Sequence, residues 1–172
     1  ISECHIQDIE CNDILNEAKS IAIELGLTTW DVRKHVGFLR NLVIRKGFNT
    51  NEIMVNIVTS TFDEIKVLPI VQSLSGRFSN IKSIVNNVTS RHAGTTQGQS
   101  EHLLFGESVI HEKLEDFIFE ISANSFFQTN TIQAGRLYGL IEQECNLSGD
   151  EVVYDLFCGT GSISIFISKN AK

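Results

Sequence analysis

No uninterrupted apolar run among the 172 residues approaches the roughly 18 that a membrane-crossing helix needs. Nor does a charged stretch followed by an apolar one open the chain, so the expectation is a cytoplasmic protein with no membrane partner. The four cysteines, Cys4, Cys11, Cys145 and Cys158, are scattered rather than spaced as a disulfide framework, which leaves reduced thiols or part of a metal site. Internal repeats and low-complexity tracts are absent. Position 1 is Ile1 rather than methionine, and Lys172 comes one strand and one helix into what looks like a nucleotide-binding unit, so a piece of a longer protein is expected.

What is present suits a globular chain of one domain or one and a half, with 42% hydrophobic residues to fill a core. The net charge of −7 argues against a polyanionic partner. Its distribution softens that objection. Arg33, Lys34, Arg40, Arg45 and Lys46 fall close together, and from Ile65 to Ser100 there are Lys66, Arg77, Lys82 and Arg91 but no acid. A solvated surface of uneven charge and a nucleic-acid groove both remain open on this ground.

Helical spacing of Ile14, Leu15, Ala18, Ile21, Ala22 and Leu25 predicts a helix over 12–25, with Asn12 or Asp13 as its cap and Gly26 as its stop. Cys11, just before it, reads as a small buried hydrophobe. Val36–Arg45 and Glu52–Thr59 read as a β-hairpin around KGFNTN, apolar on both faces and therefore covered on both sides. A helix over 62–78 follows, where Pro69 suggests a kink or an early start, then a strand over 81–88 and an exposed loop from Ser90 to Ser100. His102–Ile110 and Lys113–Ile121 are expected to pair as a second hairpin, with Phe117, Phe119 and Ile121 on one face. After SANSFFQTN, Thr129 or Asn130 would cap a helix through Ile132, Leu137, Leu140 and Ile141 towards Asn146.

The stretch EVVYDLFCGTGSISIFIS (151–168) carries the chemistry. Val152 to Tyr154 suit a buried parallel strand, Asp155 to Gly161 supply an acid and two glycines, and Ser162 to Ser168 restart as a helix. Strand, glycine turn, helix is a nucleotide cradle. A dinucleotide fingerprint needs a third glycine where Ser164 stands, which disfavours an NAD-type oxidoreductase, and no Lys-Ser or Lys-Thr follows to make a P-loop. An acid ending the strand before a glycine turn suits S-adenosylmethionine, whose zwitterionic and sulfonium groups call for no pyrophosphate cradle.

The wording DLFCGTG, preceded by SFFQTN, resembles the RNA uracil-C5 methyltransferases, which form 5-methyluridine in transfer or large-subunit (23S-type) ribosomal RNA. GFLRNLVIR (37–45) and EIMVNIVT (52–59) resemble that family's central, mostly β domain. The resemblance implies an α/β fold, with an α+β central domain over 1–124 and the first strand-helix unit of a Rossmann-like S-adenosylmethionine-dependent methyltransferase domain over 125–172. It implies that Gln128, in Phe126-Phe127-Gln128, contacts S-adenosylmethionine through its amide, and that Phe157 lines the adenosine side. It further implies that Asp155, Gly159 and Gly161 belong to the same pocket. Ser162 stands where many members carry an asparagine that also touches the cofactor.

Cys11 aligns with the last ligand of a [4Fe–4S] cluster in the ribosomal-RNA branch, which favours ribosomal over transfer RNA as the partner, although the other three ligands are not in this chain. In the family a cysteine thiolate adds to C6 of a flipped-out uracil, C5 takes the methyl group, and a glutamate base removes the C5 proton. That pair lies beyond the glycine turn, so Cys158 is expected to be structural, the 172 residues alone to be inactive, and the full-length protein to be a monomer. The alternative is a non-catalytic RNA-binding module that uses Arg40, Arg45 and Lys46.

Overall fold

The computed structural model describes residues 3–92 and 96–172; residues 93–95 of the expected Ser90–Ser100 loop lie outside them. The first helix, α1, spans Ile9–Glu24 and begins earlier than the apolar spacing suggests, because Asp8 rather than Asn12 or Asp13 caps it by accepting from Glu10 N. Asn12 is engaged elsewhere. Its side chain accepts from Cys4 N at 3.0 Å and donates to Cys4 O at 3.1 Å, pinning the N-terminal segment against the helix.

Strands β1 (Leu39–Lys46) and β2 (Ile53–Thr59) form the expected hairpin. Helix α2 (Glu64–Arg77), capped by Asp63, then crosses to β3 (Ile81–Val88), which lies parallel to β2. Pro69 sits inside α2, and Ile65, whose carbonyl it leaves without a helical donor, is on the exposed side. Strand β4 (Ser100–Gly106) adds antiparallel to β3 and completes a sheet of order β1-β2-β3-β4.

Here the expectation of a hairpin between 102–110 and 113–121 fails. Gly106 takes φ +71° and a Cβ there would collide with Lys82 O, so the chain turns at this glycine and leaves β4 in the first sheet. The second hairpin is instead β5 (Val109–Leu114) with β6 (Phe117–Ser122). Helix α3 (Thr131–Cys145) follows, capped by Asn130 and closed by Asn146 at φ +46°. The chain ends with α4 (Ser162–Ile167) and a 3₁₀ turn, Ser168–Asn170. Val152 to Tyr154 do not form the expected strand. They are exposed and have no ladder partner among the described residues, and a single parallel strand has nothing to satisfy its amides.

Both faces of the sheet are covered, as its apolar composition required. On one, Ile14 and Ala18 of α1 and Val67, Ile70 and Leu74 of α2 pack on Ile53, Val55, Ile57 and Ile84. On the other, Met54 and Val85 meet Ile110, Ile121 and Ala123. The β5–β6 hairpin also contributes Leu114 and Phe119 to a further core with Ala134 and Tyr138 of α3 and Phe166 and Ile167 of α4. It therefore links the sheet to the C-terminal helices.

A buried acid fixes that link. Glu112 on β5 is 1% exposed and accepts from Phe48 N at 2.6 Å, Asn49 N at 3.0 Å, Lys113 N at 2.8 Å and Thr131 Oγ1 at 2.6 Å. Asn49 Nδ2 donates to Lys113 O and Thr50 Oγ1 to His111 O beside it. The β1–β2 turn, β5 and the first residue of α3 thus share one carboxylate. Glu112→Ala would leave the buried Thr131 hydroxyl without its acceptor, at about 1–3 kcal/mol, and release the part-buried amides of Phe48, Asn49 and Lys113 that hold the β1–β2 turn to β5. Urea unfolding is expected to show a loss of about 3–5 kcal/mol, against about 0.5 kcal/mol or less for the exposed Glu107→Ala.

Candidate functional site

The two segments singled out in the sequence meet through one hydrogen bond: Thr160 Oγ1, between the glycines, donates to Phe126 O at 3.1 Å. The glycine turn is held from the other side by α3 and α4. The hydroxyls of Tyr138 and Ser162 lie 2.9 Å apart, joining the buried face of α3 to the first residue of α4. Ser164 Oγ donates to Asp155 Oδ2 at 2.5 Å, so the acid that opens the turn is tied to the helix that closes it.

Gly159 and Gly161 take φ +58° and +73°, and apart from adjacent residues no atom lies within 4 Å of where a Cβ would be built on either. The turn needs glycine for its conformation, and the missing side chains leave its backbone open to a ligand. Phe157, at φ +64°, projects fully into solvent, and Gln128 is exposed next to the Phe126–Thr160 contact. Between β6 and the turn lies a cleft of about 260 Å³ lined by Phe119, Ser125, Phe126, Phe127, Thr160 and Ile165. That is a little below the roughly 300 Å³ at which small-molecule sites begin.

The approach to the turn is equally constrained. The Glu151 carboxylate accepts from Ser148 Oγ at 2.7 Å, Ser148 N at 2.8 Å and Gly149 N at 3.1 Å. The Ser148 hydroxyl foremost, then these amides, hold its pKa down at about 2.

Of the residues expected at the site, Asp155, Gly159, Gly161 and Ser162 share one turn-and-helix unit, and Gln128 and Phe157 stand exposed on the two segments that Thr160 joins. Ser162 is engaged by Tyr138. Thr160 and Tyr138, which help position these groups, were not singled out in the sequence, and Ser164 was noted only as standing where a third glycine would be. Thr160 lies between the two glycines, whereas Tyr138 carried only the signal of a polar-tipped aromatic on the helix face that includes Ala134. Cys158 is not a core residue: its sulfur is exposed, 3.8 Å from Gly159 O.

Cys11 is 6% exposed inside α1, and burial pushes its thiol pKa up. Among the described residues no group of three or more His, Cys, Asp or Glu side chains could hold a metal ion. The cations proposed for RNA also prove committed. Lys46 pairs with Asp8 at 2.9 Å and Glu10 at 3.1 Å, Arg45 is partly buried and donates to Ala123 O, and Arg40 donates to Thr89 O and Arg91 O. No helix is long and apolar enough to cross a membrane among the described residues.

No family model matches the chain. It is 37% identical over 169 residues, 98% of its length, to an uncharacterized RNA methyltransferase of Oceanobacillus iheyensis, of which it spans 37%. It is 36% identical over 173 residues to one of Chlorobaculum tepidum, and 37% identical over 172 residues to one of Clostridium acetobutylicum. In both cases all of this chain aligns, with 36% and 37% of the relative covered. The chain thus spans little more than a third of the length of the curated relatives it matches. Among solved structures, it superposes with a TM-score of 0.80 and 30% identity on the tRNA (uracil-54, C5)-methyltransferase of Pyrococcus abyssi in complex with S-adenosyl-L-homocysteine. That match covers 98% of this chain and 40% of the other. The α/β class expected from the sequence is the one observed.

Glu151 provides a local test. Its folded-state pKa lies below the ordinary 4.5, so the stabilisation it brings is fully present above about pH 4.5 and disappears as the pH falls towards 2. Side-chain carboxyl chemical shifts followed by NMR should titrate near 2 for Glu151, and Ser148→Ala should move that midpoint up towards the ordinary glutamate value.

Proposed function

We propose that this chain is part of an S-adenosylmethionine-dependent RNA methyltransferase that methylates C5 of uridine. What supports the reading is the Thr160–Phe126 contact, which brings the Phe-x-Gln segment and the glycine turn into one site in a chain similar throughout to RNA methyltransferases. The solved relative bound S-adenosyl-L-homocysteine, and the open backbone at Gly159 and Gly161 fits such a ligand.

When bound, S-adenosylmethionine supplies an electrophilic methyl group. The residues of this chain bind and orient. Gln128 offers an amide donor and acceptor to the amino-acid end, and Phe157 offers a flat apolar face to the adenosine. Asp155, held by Ser164, fixes the turn's entry, and Ser162, held by Tyr138, sets the start of α4 rather than reaching the cofactor as an asparagine would.

On this reading residues 1–124 are the central domain and 125–172 begin the cofactor domain, with the β5–β6 hairpin contributing to both cores. The substrate uridine lies in ribosomal RNA if the alignment of Cys11 with the ribosomal branch decides, and in transfer RNA if the Pyrococcus abyssi relative is the better guide. Gln128, Phe157 and the turn all stand open to solvent, so weak cofactor binding and no methyl transfer are expected of the 172 residues alone.

Two measurements test this. Calorimetric titration of the 172-residue chain with S-adenosylmethionine is expected to give binding weaker than micromolar. The same sequence within a polypeptide of its relatives' length is expected to transfer labelled methyl to uridine-containing RNA, and Gln128→Ala to lower kcat/KM by about 10–100-fold. Ribosomal and transfer RNA offered in competition separate the two substrates. No transfer to either would overturn the reading.

A further inference from the structure

The α1–β1 connection and the segment after β3 come together at the end of the sheet where β2 and β3 terminate, and they carry an unusual set of flat side chains. The His35 and His92 rings stack at 4.0 Å between centroids and 8° between planes, both exposed. Trp30 lies beside His35 at 6.3 Å, and the Arg40 guanidinium sits over its ring at 4.0 Å. At the same end, Phe62 just beyond β2 stacks on His102 of β4 at 3.8 Å.

The arrangement is built. Asp31 accepts from Arg33 N at 2.8 Å and Lys34 N at 3.0 Å, closing a tight turn that presents both cations to solvent, and Asp31 N bonds to Val36 O. His35 leaves that turn at φ +55°, a conformation costly for a non-glycine residue, with its ring against His92. Gly37, where a Cβ would strike Thr29 O, lets the two arms of the turn close. Arg40 bridges to Thr89 O and Arg91 O and so locks the segment after β3 to this turn.

We propose that this end of the sheet binds unpaired RNA, with bases stacking on Trp30, His35 and His92 and the backbone running over Arg33, Lys34 and Arg91. For the choice of RNA as ligand it rests on the methyltransferase reading above. The surface itself selects for single strands. Flat rings flanked by cations take a base of any sequence by its face, which a paired and stacked duplex does not expose. Asp31 is the only acid between positions 28 and 46, and it is occupied by the turn. Among the described residues Arg33, Lys34 and Arg91 are exposed and form no ion pair, whereas Lys46 is paired with Asp8 and Glu10.

Trp30 is the sole tryptophan, so its fluorescence reports on the platform directly. The 172-residue chain is titrated with a single-stranded RNA about twelve nucleotides long and with a duplex of the same length. Quenching is expected with the single strand and not with the duplex. With three phosphates neutralised, affinity for the single strand is expected to fall roughly 20-fold between about 50 and 200 mM salt. His92→Ala, at an exposed position, is expected to weaken binding about tenfold at an unchanged circular dichroism spectrum, and Arg33→Ala with Lys34→Ala to flatten the salt dependence.

Equal affinity for the duplex, wild-type binding by His92→Ala, or no binding in fluorescence or in anisotropy of a labelled strand would each overturn the proposal. Quenching without methyl transfer from the longer polypeptide would sink the enzymatic reading and leave this surface standing. Methyl transfer unaffected by His92→Ala, with no quenching, would do the reverse.

Discussion

Glu112 is a carboxylate withdrawn from water and surrounded by donors from three parts of the chain: the β1–β2 turn, its own strand, and Thr131 at the start of α3. A buried charge of this kind is tolerated only if each acceptor position is filled, which fixes the relative placement of the elements supplying the donors. From there the constraint passes along α3. Thr131 anchors its first residue, Tyr138 two turns later meets Ser162, and Ser162 begins the helix behind the glycine turn. Thr160 then closes the loop on Phe126, between β6 and α3. The candidate site is thus positioned by the central sheet through a short series of named contacts, although its own residues are largely exposed.

Much of the sheet could be read from the sequence because its signals are local and agree. Ile81–Val88 matches β3, and the apolar composition on both faces of the first hairpin correctly implied cover on both sides. The second hairpin was misread because Gly106 was not recognised as a corner. Gly106 takes a positive φ, and Lys82 O, a neighbour distant in sequence, leaves no room for a Cβ there. That misreading placed His111 and Glu112 in a turn. Once β5 is drawn correctly, Glu112 falls in phase with Ile110 and Leu114 on the inward face, where a lone acid signals a buried network.

Two further differences have the same origin. Asn12 has the chemistry of a helix cap, but its amide is taken by Cys4, and Asp8 caps instead. Val152 to Tyr154 have the composition of a buried strand, but composition cannot supply the neighbours that a parallel strand requires. In the site, the residue types of the glycine turn were legible and their supports were not, since Tyr138 and Ser164 acquire meaning only through Ser162 and Asp155.

Charge followed a similar course. Clustering of cations between positions 33 and 46 suggested a polyanion surface, yet the fold commits Lys46 to two acids and Arg45 to a carbonyl. The cations left at the surface sit on the turn closed by Asp31, beside stacked rings. The proposed reading puts a cofactor turn at one end of the chain and a base-stacking surface near the other, joined through the sheet and the Glu112 network. Its central claim, that the chemistry is methylation at C5 of uridine, is tested most directly by RNA carrying tritium at uridine C5, incubated with S-adenosylmethionine and a polypeptide of the relatives' length that contains this chain. One tritium released to water per methyl group transferred is the predicted result; methyl transfer with the tritium retained would contradict it.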